Sequence, residues 1–154
     1  MPEVVTATTS QWPAAATAVE KSSGAQQQSQ LRNWPVQLYL APTQAPYFDK
    51  ADLLIAADCV PFALANFHGQ FLAGKTLLIG CPKLDNVELY LNKLAEIFAG
   101  NDIKSVEIAF MEVPCCFGLM QIVQRALQMA QKDIPVELVK IGLRGDILDK
   151  RNVQ

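Results

Sequence analysis

The chain is 154 residues long, 51% hydrophobic and 18% charged, with a formal net charge of -2 and four cysteines. That length suits one domain of about 100 to 200 residues plus some tail. The near-neutral charge argues against nucleic acid as a general partner, because a phosphate-binding surface needs clustered Lys and Arg.

Residues 1–30 are rich in Ala, Thr, Ser and Gln, and their few large apolar side chains follow no helical or strand period. Residues 1–32 are therefore expected to be a disordered tail or linker. They lack a charged start followed by an apolar stretch of about 7 to 15 residues, the pattern of a secretory leader, so a cytoplasmic protein is expected. The longest apolar run, Leu53 to Ala57, falls far short of the about 18 residues of a membrane span.

From Trp34 onward, short apolar runs alternate with amphipathic segments. Val36 to Leu40 alternates and stops at Pro42, which predicts an edge strand. Leu53 to Ala57 is uniformly apolar and predicts a strand buried on both faces. Pro61 to Asn66 predicts a short helical turn, and a glycine-containing connection then leads to a third strand over Thr76 to Ile79, closed by Gly80-Cys81-Pro82. Asp85 with Glu88 has the form of a capping box. Val87, Leu91, Leu94, Ala95 and Phe98 then recur at helical spacing until Gly100-Asn101. Ser105 to Met111 predicts strand four. A second helix should begin near Gly118, bury Leu119, Ile122, Val123, Ala126 and Met129, and end before Pro135. Val136 to Ile141 predicts strand five, followed by a turn at Gly142-Leu143-Arg144-Gly145. Residues 149–154 are expected to be a C-terminal tail.

Strands separated by helices imply right-handed crossovers. The expected fold is a three-layer α/β domain over residues 33–148, with a mainly parallel sheet of about five strands between flanking helices. Gly69 to Thr76 matches the phosphate-loop pattern G-x-x-x-x-G-K-[ST]. Its context is wrong, because such a loop must open a helix and Thr76 begins a strand.

On this layout Cys59 ends strand two, Cys81 ends strand three, and Cys115 and Cys116 end strand four. The carboxyl ends of parallel strands form the edge where ligands bind, so four thiols distant in sequence are expected to meet there. A proline lies within two residues of each site, in Cys59-Val60-Pro61, Cys81-Pro82 and Pro114-Cys115, where it fixes a sharp exit from the strand. Any one cysteine alone is readily explained as a small buried hydrophobe. Four at one edge favour a shared metal site. Zinc accepts four thiolates but usually takes them from closely spaced pairs, whereas an iron-sulfur cluster spans ligands from separate strands. A [4Fe-4S] cluster held by Cys59, Cys81, Cys115 and Cys116 is the preferred reading. The alternative is a metal-free or zinc-stabilised α/β module that binds a partner protein or small ligand at the same edge.

The segments LRNWPVQLYL, ADLLIAADCVPFA, GKTLLIGCPKLDN, MEVPCCFGL and IGLRGDI, spread over Leu31 to Ile147, resemble the domain that follows the ferredoxin-like segment in bacterial and archaeal 4Fe-4S iron-sulfur cluster-binding proteins. The resemblance implies a redox or electron-carrier role in anaerobic metabolism. The C-x-x-C-x-x-C-x-x-x-C-P motifs that precede this domain in the family are not in this sequence. Either a separate ferredoxin or oxidoreductase subunit is then the redox partner, or the chain is the second domain of a longer protein.

Of the remaining candidates, His68 lies in the connection after strand two and could return near Cys59. A lone loop histidine is more often simply solvated. Lys83 and Arg144 lie near the ligand edge, where a positive charge would offset a cluster or steer an acidic partner. Asp58 is expected to bind backbone amides of the next turn. No G-x-S-x-G elbow occurs, and a Cys-His nucleophile would leave three cysteines unexplained. An electron carrier is favoured over an enzyme.

Overall fold

A computed structural model describes residues 26–153, so most of the expected tail over residues 1–32 lies outside the described residues. Five strands form one sheet: β1 (Ala51–Ala57), β2 (Thr76–Gly80), β3 (Ile103–Met111), β4 (Val136–Ile141) and β5 (Ile147–Asn152). Their order is β2-β1-β3-β4-β5. The first four are parallel and β5 is antiparallel to β4. The helices are a four-residue α1 (Val60–Ala63), α2 (Val87–Gly100) and α3 (Gly118–Ala130).

β1 is an interior strand, and all but one of its residues are buried, which explains its apolar run from Leu53 to Ala57. The connection from β1 to β2 steps one way along the sheet, and those from β2 to β3 and β3 to β4 step the other way. Right-handed crossovers then place α1 on one face and α2 with α3 on the other. α2 and α3 pack against each other there. The chain is a three-layer α/β domain, as the spacing of its apolar runs implies.

α2 starts differently from its expected capping box. Asn86 is the cap, its Oδ1 accepting from the amides of Glu88 at 2.9 Å and Leu89 at 3.2 Å. Asp85 serves a different bond, described below. The α2 face is also broader than expected, since Tyr90 and Ile97 are completely buried while Val87 is exposed. On α3 Leu127 is buried and Met129 is exposed, one turn-position away from the expected pattern.

Two edges correct the sequence reading. Val36 to Leu40 makes only one bridge, Gln37 to Ile79, on the outer edge of β2. The chain then turns back, because the amides of Leu40 and Ala41 both donate to the Gln37 carbonyl at 2.9 Å. At the opposite edge, Ile147–Asn152 is a strand where a turn and tail were expected. Its sequence I-L-D-K-R-N does not alternate because the whole strand is exposed, and charges along an edge discourage pairing with other chains.

Asn33 anchors the first edge. Its Oδ1 accepts from the Leu77 amide and its Nδ2 donates to the Leu77 carbonyl, both at 2.9 Å, and the residue is buried. Asn33→Ala strips two buried backbone groups of their partners and is expected to cost about 2 kcal/mol. Urea unfolding midpoints would measure this, and a change within about 0.5 kcal/mol would show that the strap is dispensable.

Candidate metal centre at the carboxyl edge of the sheet

β2, β1 and β3 are neighbours and run parallel, so their carboxyl ends form one edge. The winding direction reverses between β1 and β3, which opens a crevice at their carboxyl ends. Cys59 lies two residues beyond β1, on one side of it. Cys115 and Cys116 lie in the short turn Pro114–Cys116 beyond β3, on the other. Cys81 directly follows β2. Cys59, Cys115 and Cys116 thus follow the two strand ends that flank the crevice, and Cys81 follows the next strand beyond β1.

Each cysteine is held by its own turn. Cys59 precedes α1, and its carbonyl accepts from the amides of Phe62 at 3.2 Å and Ala63 at 3.1 Å. Pro61 fits here because the first helical turn has no use for its missing amide hydrogen. The Cys81 carbonyl accepts from the amides of Leu84 at 3.2 Å and Asp85 at 3.0 Å, while its own amide donates to the Tyr90 phenol oxygen at 3.1 Å. Tyr90 in turn donates to the Asp85 carboxylate. The tandem pair is set by Cys116 and Phe117, whose amides bond the carbonyls of Val113 and Pro114 before α3 begins.

The four thiols differ in exposure. Cys59 is exposed, Cys81 and Cys115 are half-buried, Cys116 is buried, and none is in a disulfide. They nevertheless feel one another. Burial pushes the Cys59 thiol up, and the charges of Cys81, Asp58 and Cys115 push it further. Burial raises Cys116 to about 11; a hydrogen bond to the Met111 backbone opposes this, and the neighbouring thiols of Cys115 and Cys59 add to it. Cys59 and Cys116, raised in this way, stay protonated when no metal is bound, and metal binding must displace those protons.

A consequence is testable in the metal-free protein. An unfolded cysteine titrates near about 8.5, so the native state retains the Cys116 proton at a pH where the unfolded state has released it. Stability from this group is complete below about pH 8.5 and declines as pH rises toward 11. Melting temperature should therefore fall over that window and fall less in Cys116→Ala. A flat profile would contradict the assignment.

Among the described residues, no three His, Cys, Asp or Glu side chains stand close enough together to hold a single metal ion. A tetrahedral zinc with bonds of about 2.3 Å requires such closeness. A four-iron cluster occupies the space between its thiolates and holds them farther apart. A cluster at this edge would draw one ligand each from Cys59, Cys81, Cys115 and Cys116.

Other candidates are placed elsewhere. His68 belongs to a wide turn, His68–Leu72, where its Nδ1 accepts from the Gln30 amide at 3.0 Å and its ring meets Phe67 edge-on. It is not among the groups that shift Cys59. Asp58 accepts from Gln37 Nε2 at 3.3 Å rather than from the amides of the next turn. Its carboxyl is raised by burial, with the Asp85 charge adding to this and the Gln37 bond opposing it. Lys83 and Arg144 are exposed in the turns after β2 and β4. Lys75 of the phosphate-loop pattern bonds Glu107 at 2.7 Å, and Thr76 opens β2, so the pattern has no phosphate-loop geometry.

The sequence reading missed two features of this edge. Tyr90 lies outside the apolar face read for α2, and only its position five residues after Asp85 hinted at a polar partner. Phe62, Leu84 and Phe117, 91%, 81% and 45% exposed, lie within three residues of Cys59, Cys81 and Cys116. Single residues of this kind carry no periodic signal.

The architecture defines a class: an open, doubly wound α/β sheet with a thiol-lined carboxyl edge. The chain belongs to the Rossmann-like domain family, whose model matches residues 45–154. It is similar to an uncharacterized protein of Archaeoglobus fulgidus, 29% identical over 118 residues that cover 77% of this chain and 83% of that protein. No solved structure matches it. Among the described residues, no helix is long and apolar enough to cross a membrane. Family membership speaks for the fold alone. The turn after β1, Asp58-Cys59-Val60-Pro61, has none of the glycines that let a dinucleotide pyrophosphate approach the backbone.

Proposed function

We propose that this protein is a cytoplasmic iron-sulfur protein that holds one [4Fe-4S] cluster through Cys59, Cys81, Cys115 and Cys116 and exchanges electrons with a partner protein, a ferredoxin or an oxidoreductase subunit. The observation that carries this reading is the gathering of four free thiols beyond three adjacent strand ends, close enough that Cys81 and Cys115 act on Cys59, and Cys115 and Cys59 act on Cys116. When bound, the cluster supplies one-electron transfer at a potential tuned by surrounding charge, hydrogen bonds and exposure. The chain's own residues hold the turns in place, through Tyr90 beneath Cys81 and the prolines beside each cysteine.

The exposed Phe62, Leu84 and Phe117 support the partner half of the proposal. Apolar side chains around a redox centre provide the small contact that transient electron-transfer complexes use, below about 1,200 Å² in total. Lys83 and Arg144 lie in the turns after β2 and β4 and would favour an acidic partner.

Anaerobic reconstitution with ferrous iron and sulfide tests the proposal. The expected product is brown, with broad visible absorbance and about four irons per chain. Binding of one zinc per chain, or four thiols that stay titratable without any metal uptake, would overturn it.

A further inference from the structure

β4 joins β5 through a tight turn at Gly142–Asp146, closed by the Gly142 amide on the Asp146 carbonyl at 2.8 Å, and not through a crossover helix. The α2/α3 face of the sheet therefore runs out of helices at α3. The register sets Phe110 of β3, Lys140 of β4 and Asp149 of β5 side by side on that face. Arg151, two residues farther along β5, shares it. Phe117 and Met120 form the facing wall, and between the wall and the sheet lies a cavity of about 300 Å³.

Its lining has two chemical halves. Phe110 and Phe117 meet edge to face with ring centroids 6.0 Å apart, and Met120 adds a polarizable thioether. Lys140 Nζ stands 5.7 Å from the centre of the Phe117 ring, and Arg151 Nε lies 3.7 Å from the Asp149 carboxylate. Both members of that last pair are more than half exposed, so their mutual attraction is weak and Arg151 can turn to another anion. Two cations against one carboxylate leave a single positive charge beside an aromatic floor.

We propose that this cavity binds a small, flat organic acid carrying one negative charge, with its ring against Phe110, Phe117 and Met120 and its carboxylate between Lys140 and Arg151. The volume is at the lower end for ligand sites, about 300 to 1,000 Å³, which limits the ligand to one or two fused rings. Asp149 disfavours a second negative charge. The site does not depend on a metal at the cysteines, although Phe117 follows Cys116 directly.

Calorimetric titration of the full chain with 2-naphthoate and with its neutral analogue 2-naphthylmethanol tests the site. Naphthoate should bind saturably at one site per chain, and the alcohol at least about tenfold more weakly. Lys140→Gln should weaken naphthoate by about tenfold with its melting temperature unchanged. Arg151→Gln, on a fully exposed strand, gives the same test should Lys140→Gln fold poorly. Absence of saturation at millimolar naphthoate, equal affinity for acid and alcohol, or insensitivity to both substitutions would overturn the proposal. So would sedimentation showing that the chain self-associates through this face and that naphthoate does not compete.

Discussion

Gly80→Ala should destabilise the protein by about 3 kcal/mol, the upper end of the usual cost of overpacking. Gly80 ends β2, and a Cβ built there would lie 2.7 Å from the Tyr90 phenol oxygen and 2.8 Å from two ring carbons. Tyr90 is completely buried and cannot swing away. Its phenol is also tied twice, accepting from the Cys81 amide and donating to Asp85. Relief thus requires α2 to move off the sheet or the Cys81 turn to open. Tyr90→Leu, which removes the clashing atoms, should cost stability alone but make the added methyl nearly harmless. The coupling in a double-mutant cycle should then approach 2 kcal/mol, within the range of about 0.5 to 3 for residues in contact. Urea unfolding of the four proteins measures it, and additive effects would show that the ring does move.

The sheet was legible because burial leaves a direct trace in sequence. β1, β2 and β4 are mostly buried, so apolar runs locate them within two residues. β5 left no such trace, since none of its residues is buried. Val36 to Leu40 erred in the opposite direction. Leu38 is buried as its alternation implies, but Leu40 is exposed, because the turn closing on Gln37 carries the chain out of the ladder after one bridge. Periodicity is silent about where backbone hydrogen bonds go.

The candidate site was legible for a topological reason. In a parallel sheet every strand delivers its carboxyl end to the same edge, so placing Cys59, Cys81 and Cys115 after strands was enough to bring them to one side. The depth of each thiol was not legible, because it depends on the local turn: Cys59 stands exposed before α1 while Cys116, one residue beyond the half-buried Cys115, faces inward. Polar pairings were also hidden. Asp85 had the spacing of a capping residue, and Asn86 took that role because its shorter reach to the Glu88 and Leu89 amides leaves Asp85 free to accept from Tyr90.

The tandem cysteines give the prediction with the largest effect on metal content. Cys59→Ser, Cys81→Ser and Cys115→Ser should each reduce reconstituted iron from about four per chain to about one or less, because each removes a thiolate from a different corner of one cluster. Cys116 demands a separate argument. Successive residues of a three-residue turn point about 120° apart, so Cys115 and Cys116 can serve one cluster only if it sits in the angle between them. Cys116 is 6% exposed, next to the Met111 backbone, and responds to both Cys115 and Cys59. Its electrostatic reach to both neighbours keeps it in the proposed ligand set, so Cys116→Ala should lose iron like the others. Alanine is the better substitution here, because it leaves neither a thiolate nor a hydroxyl that could stand in as a ligand, although it also removes the bond to the Met111 backbone. Iron content and the melting temperature of the metal-free variant, measured together, separate the two effects. Full iron in Cys116→Ala alone would mean three cysteine ligands instead of four, and full iron in all four variants would exclude the cysteine edge as the cluster site.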